Sequence, residues 1–273
     1  MEPEDVADLT LEDMLVGCGR CEADYVRKLF GLEPHVAKTA QRAVCLEPPP
    51  ESQVSQKPLI IGAGPGTTAT RSVSKAVNLL GLRVVHYGAG FERDGTPYPP
   101  GVSNACSNWD KNLALFGVND MYDMLLLNAT TVTACHDAFD AFNLRLYDDL
   151  DAVFDSPVHH VTYRLLQLYP NAKLIFTHRD PDVWVEKRVA HQMAMPAVQQ
   201  PCGMILEHLT NEQNVAAYNA NLELLECIMP AERMLMVNVW AQPGREIFES
   251  LADFLQRPVP PEECAFPGKL AQL

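Results

Sequence analysis

A chain of 273 residues that is 47% hydrophobic and 21% charged has the length and apolar content to bury a sizeable core, which excludes extended disorder and favours one large domain over two small ones. Its formal net charge of −14 argues against nucleic acid or an anionic membrane surface as a partner, because the field of the whole molecule repels both. An anionic ligand then needs a locally basic pocket.

The first stretch, MEPEDVADLTLEDML, is acidic where a secretory signal is basic, and no apolar run approaches the roughly 18 to 20 residues that span a bilayer. The expectation is a cytoplasmic protein with no membrane partner. Residues 1–47 read as an N-terminal helical arm in which Thr10 and Asp13 fit a capping box and Leu11, Met14 and Leu15 share a face. Cys18 and Cys21 form a CxxC, but no second CxxC or closely spaced Cys/His pair completes a tetrad, so no metal is expected and the cysteines are expected as free thiols. The run EPPPESQVSQKP then supplies a proline-rich linker over 48–58, and the main domain spans 59–273.

Strand and helix signals alternate from there. Leu59 to Ile61 is a short buried strand; Ala69, Val73, Ala76, Val77 and Leu80 form a helical stripe that Gly81 caps; Val84 to His86 is the next strand. Residues 89–133 are less legible, with GFERDGTPYPPG as a loop and Trp109 to Phe116 as a short helix. Asp151 to Phe154 reads as strand, His159 to Tyr169 as helix and Lys173 to Thr177 as a buried strand, after which Asp180 and Pro181 open a helix. Val215, Tyr218, Leu222 and Leu225 mark a helix over Glu212 to Cys227, followed by the strand-like MLMVNVW and the amphipathic REIFESLADFLQ. This alternation predicts an α/β, three-layer P-loop-type fold with a central parallel sheet flanked by helices.

The segment LIIGAGPGTTATRS, from Leu59 to Ser72, admits three readings. A dinucleotide fold requires a glycine where Thr67 stands and an acid at the end of the next strand, where the sequence runs VVHYG. An NTP-hydrolysing P-loop requires a lysine before its hydroxyl residue, and none lies between Pro58 and Lys75. The loop's own chemistry offers successive backbone N–H groups and three threonine hydroxyls at a helix N-terminus, which suits a phosphosulfate that carries no magnesium.

GAGPGTTATRSVSKAVNLLG resembles the phosphosulfate loop of the P-loop sulfotransferases. DAVFDSPV and YPNAKLIFTHRDPDVWVEK are similar to that family's next strand and its 3′-phosphate motif, and RMLMVNVW with GREIFESLADFLQRPVPPEECAFP to its closing strand, helix and proline-rich tail. The resemblance covers Pro58 to Pro267, is weak between Ala89 and Thr133, and leaves out the arm. It implies the donor 3′-phosphoadenosine-5′-phosphosulfate (PAPS, with PAP as product) and a small-molecule acceptor whose identity it does not give.

By this resemblance Gly64, Pro65, Gly66, Thr67, Thr68, Ala69, Thr70, Arg71 and Ser72 grip the phosphosulfate, and Arg179 grips the 3′-phosphate; the plainer alternative for Arg179 is an ion pair with Asp180 or Asp182. Lys187 stands where the family shares that phosphate through a serine, with Arg188 beside it, and either cation can replace the hydroxyl. Asp155 aligns with the family's base, the alternative being an aspartate that caps the His159 helix or its turn. His159 and His160 are nearby alternative bases, His86 is a candidate for the acceptor pocket, and Trp184 is expected in the core. The family's basic loop residue is replaced by Thr67 and a loop glycine by Ala69, which leaves open a slow enzyme or a non-catalytic nucleotide binder. Arg71, one turn on, is the candidate substitute. A flavin- or nicotinamide-linked oxidoreductase is the remaining alternative, and the Met193 to Leu209 stretch is a candidate acceptor wall or lid.

Overall fold

A computed structural model describes residues 51–86, 89–96, 144–155, 158–191 and 209–267. The N-terminal arm with its CxxC, the helix expected at Trp109 to Phe116, and most of the 89–133 and 193–209 stretches lie outside the described residues.

Six strands form one sheet: β1 (Ile60–Gly62), β2 (Val84–His86), β3 (Ala89–Phe91), β4 (Ala152–Phe154), β5 (Lys173–Thr177) and β6 (Met234–Val237), in the order β3-β2-β4-β1-β5-β6. Five of them run parallel, as the alternating pattern predicts, and β3 adds an antiparallel edge against β2, with Val84 opposite Phe91. Three residues, AGF, carry too little periodicity for that edge to be read from sequence.

The helices are α1 (Thr70–Leu79), α2 (Thr162–Leu168), α3 (Pro181–His191), α4 (Asn211–Ile228) and α5 (Gly244–Leu255). Successive residues of β1 face opposite sides, so the sheet separates two cores. Ile61 packs with Leu165, Trp184, Tyr218 and Leu225 on the α2, α3 and α4 side, and Ile60 packs with Val73, Val77, Phe248 and Leu251 on the α1 and α5 side. The result is the three-layer α/β architecture.

Local chemistry sets the helix ends. Asp180 Oδ1 accepts from the N–H of Val183 at 3.0 Å to start α3, and Thr210 with Gln213 forms a full capping box on α4. The first is the cap read from sequence; Thr210 is not part of that reading. The helix expected from His159 instead begins as a 3-10 turn over Val158–Val161 and becomes α-helical only at Thr162. The MLMVNVW strand stops at Val237, because Asn238 turns the chain and its Oδ1 accepts from the N–H groups of Trp240 and Ala241. Residues 51–58 lie against the domain: Ser55 donates its N–H to Leu168 C=O at 2.7 Å, and the Lys57 ammonium donates to the carbonyls of Asp148 and Leu150.

Gly62, the last residue of β1, has no room for a side chain, since a Cβ there would collide with the Phe154 ring of the neighbouring strand. Gly62→Ala is therefore expected to destabilise the fold by about 1–3 kcal/mol through overpacking, read as a lower denaturant midpoint with an unchanged slope.

Candidate active site

In a sheet of this kind ligands bind beyond the carboxyl ends of the strands, where the strand order reverses. Here β1 lies between β4 and β5. The loop leaving β1 enters α1 at this edge, and the ends of β2, β4 and β5 bring His86, Asp155 and Arg179 to the same edge.

The loop is held from below. Gly64 approaches Thr177 so closely that a Cβ would strike its hydroxyl and backbone, and Gly66 leaves its side-chain space to the Arg188 guanidinium. Thr68 donates its hydroxyl to Pro65 C=O at 2.5 Å and lies 2.6 Å from Thr177 Oγ1. Two non-glycine residues take left-handed conformations, Thr67 at φ 70° and Ala69 at φ 68°, a strain costing on the order of 1–3 kcal/mol per residue.

These turns leave the amides at the start of α1 unpaired: the N–H groups of Thr67 to Thr70 have no acceptor among the described residues, and α1 begins without a side-chain cap. The three threonine hydroxyls read as a phosphate cradle divide: Thr68 is committed internally, Thr70 Oγ1 lies 3.1 Å from His86 Nε2, and Thr67 Oγ1 is buried with no partner among the described residues. Ser72 is buried, with its N–H committed to Ala69 C=O. Arg71 is exposed on the first turn.

Arg179 leaves the end of β5 and turns over the loop, where its Nη1 donates to Thr67 C=O at 2.9 Å. Its guanidinium carbon lies 4.3 Å above the Trp240 ring, and its own N–H donates to the Tyr218 hydroxyl at 3.2 Å. Among the described residues it makes no ion pair with Asp180 or Asp182, and its Nε is buried without a partner. Arg179 and the loop therefore face the same space. Lys187 sits apart, 2.5 Å from the exposed Glu186 carboxylate, whereas Arg188 is buried beneath Gly66.

Asp155 follows β4 with φ 70°, and its carbonyl accepts from the Val158 N–H at 2.7 Å, so it also shapes the turn before α2. Its Oδ2 lies 3.2 Å from His86 Nε2, with its side chain 19% exposed and that of His86 only 6%. A proton on Nε2 would point at the carboxylate, and the carboxylate is the more accessible of the two. Burial holds His86 below its ordinary pKa, against the pull of Asp155. His159 is buried with its ring 3.6 Å from that of His160. A base that meets an external acceptor must be reachable, and His159 is not.

The donor set fits a phosphorylated nucleotide: unused amides at a helix tip, orphaned Thr67 Oγ1 and Arg179 Nε, and glycines that let backbone approach. Among the described residues no group of three or more His, Cys, Asp or Glu is arranged to hold a metal ion, and no helix is long and apolar enough to cross a membrane. Trp240 and Tyr218, which contact Arg179, were not assigned from sequence, whereas Arg188, read from sequence as a cation that can stand in for the family's serine at the 3′-phosphate, lies beneath Gly66.

Residues 59–212, more than half of the chain, match the family described as the sulfotransferase domain. Among solved structures, the sulfotransferase STF9 from Mycobacterium avium aligns with a TM-score of 0.41 at 15% identity, over 87% of this chain and 72% of that one. The sulfotransferase domain from the Synechococcus PCC 7002 olefin synthase aligns with a TM-score of 0.38 at 17% identity, over 77% of this chain and 76% of that one. No curated protein sequence matches the chain.

Burial holds the imidazoles of His86 and His159 below their ordinary value, His159 well below. The unfolded chain then binds protons that the folded one does not as pH falls below about 6.5, so stability is full above that pH and lost beneath it. Each such histidine contributes a slope approaching about 1.4 kcal/mol per pH unit. Denaturant midpoints are expected to fall between about pH 7.5 and pH 5.5, and more shallowly in His159→Gln.

Proposed function

The chain belongs to the sulfotransferase domain family, and on that premise we propose that it moves a sulfuryl group from PAPS to a hydroxyl or amine of a small-molecule acceptor. The observation that carries this reading is the Arg179 Nη1 bond to Thr67 C=O, which joins the proposed 3′-phosphate cation to the loop proposed to hold the phosphosulfate. In this reading the N–H groups from Gly66 to Arg71 and the free Thr67 hydroxyl hold the phosphosulfate, with the α1 dipole favouring its negative charge. When bound, the donor supplies a sulfur already activated by its bond to a phosphate.

Arg179 holds the 3′-phosphate. Trp240 keeps its guanidinium plane in place, and the Tyr218 hydroxyl fixes its backbone. Asp155 takes the proton of the acceptor oxygen or nitrogen as that atom bonds to sulfur and the sulfur's bond to the 5′-phosphate oxygen breaks, leaving PAP on the loop amides, and His86 orients the carboxylate from behind. The acceptor approaches from the open side of Asp155.

A second reading has its own observation. Thr67 puts a neutral, strained side chain where related loops carry a cation, and the loss of one preorganised donor commonly slows such chemistry about 10²- to 10³-fold. A nucleotide-binding protein with little turnover would show donor binding without transfer to any acceptor.

Calorimetry is expected to show adenosine 3′,5′-bisphosphate binding in preference to ATP, NAD and FAD, with Arg179→Ala weakening it at least about 100-fold through the loss of two charge-assisted hydrogen bonds. Equal affinity for all four nucleotides, or an indifferent Arg179→Ala, contradicts the reading. In transfer assays over phenols, alcohols and amines, Asp155→Asn is expected to lower kcat about 10²- to 10⁴-fold while bisphosphate affinity changes by no more than about threefold. Arg71→Ala with unchanged turnover removes Arg71 from the machinery.

A further inference from the structure

The proposed donor site has an electrostatic gap. In a chain of net charge −14, a multiply charged anion needs cations close by, and the loop residue that would carry one is Thr67. Arg179 is engaged at the other end, between Thr67 C=O and the Trp240 ring. Lys187 is paired with Glu186 on the outer side of α3, and Arg71 extends from an exposed position.

Arg188 lies beneath the loop itself. It is 3% exposed, and its Nη1 and Cζ lie 2.5 and 3.1 Å from where a Gly66 Cβ would stand. Asp155 Oδ1 lies 3.4 Å from that same point, so the guanidinium, the proposed base and the loop meet around the side chain that Gly66 lacks. One turn earlier on the same face of α3, the Trp184 indole N–H donates to Gly66 C=O at 3.0 Å. Trp184 thus braces the peptide and Arg188 fills the space beneath it. The charge also acts on its surroundings, since it is one of the influences that keep the buried His159 ring neutral.

We propose that Arg188 is the internal cation of the donor site, charging the loop from beneath Gly66 in place of the basic residue that Thr67 replaces, and so favouring the 5′-phosphate end of the nucleotide. This rests on the reading of the site as a PAPS site. A buried charge acts through low dielectric and needs no reordering when the ligand arrives, so its influence on a nearby anion exceeds that of a surface lysine. A Cβ at residue 66 would stand 2.5 Å from Nη1, so a side chain there would push the guanidinium out of this place. Arg188 is accordingly a positioning and charge-supplying residue, distinct from Arg179, which serves the 3′ end.

The test compares two ligands that differ only at the 5′ position, adenosine 3′,5′-bisphosphate and adenosine 3′-monophosphate, by calorimetry on the full chain. Arg188→Gln is expected to weaken the bisphosphate about tenfold or more and the monophosphate by no more than about twofold, so that the preference between them collapses. Arg188→Lys, which keeps the charge on a shorter stem, is expected to retain part of the preference, and it carries the test if the glutamine variant does not fold. Equal weakening of both ligands in either variant means that Arg188 only supports the fold, and unchanged affinities mean that it has no part in the site; either result overturns the proposal. The donor reading itself is tested separately in the same experiment. Wild-type protein that binds neither ligand removes that reading and this one with it, whereas tight wild-type binding that depends on Arg179 but not on Arg188 removes this one alone.

Discussion

Two adjacent carbonyls hold the site together. Gly66 C=O accepts from the Trp184 indole and Thr67 C=O from the Arg179 guanidinium, so the loop after β1 is fastened to the segment after β5 by two hydrogen bonds. With its carbonyls drawn toward that segment, the loop leaves the amides of Thr67 to Thr70 without acceptors among the described residues. Hydrogen bonds of this kind contribute about 0.5–1.5 kcal/mol each, and more where a charged donor takes part. They also help to hold the left-handed backbone at Thr67 and Ala69, which would relax if the loop were loose.

The same fastening organises the charges. α3 lays Trp184 and Arg188 under the loop on one face and leaves Glu186 and Lys187 to pair on another. Tyr218, from α4, supports this arrangement twice: its hydroxyl accepts from the Arg179 N–H, and its ring packs 4.9 Å from that of Trp184. Opposite them, His86 and Asp155 pair at the ends of β2 and β4. The proposed donor site is therefore bounded by the Arg179 and Arg188 guanidinium groups on the α3 side and by the Asp155 carboxylate on the other. An acidic protein can hold a polyanion this way because a few buried charges act at short range while the surface charge is screened.

Much of this architecture was legible in the sequence because its elements are strongly patterned. The apolar run of β5, the stripe of α1 and the Asp180 cap all follow from residue periodicity and helix-end chemistry. The glycines and Arg179 were legible through their order along the chain. The rest depended on phase and tertiary packing. Lys187 and Arg188 flank the direction of Trp184 on opposite sides, and spacing alone does not say which one turns inward; burial of the α3 face against the loop decides it. The role of Trp240 needed the turn made by Asn238, and the pairing of His86 with Asp155 needed β2 and β4 to be neighbours although they lie far apart in sequence. The three threonines looked equivalent as a string, yet Thr68 is engaged by Pro65 and Thr177, Thr70 lies against His86, and Thr67 Oγ1 has no partner among the described residues.

A crystal structure with adenosine 3′,5′-bisphosphate tests the central claim most directly. The expected result is one nucleotide whose 5′-phosphate rests on the amides of the Thr67 to Arg71 turn and whose 3′-phosphate meets the Arg179 guanidinium. A nucleotide bound elsewhere on the sheet edge, or one that reaches only one of these two places, would contradict it.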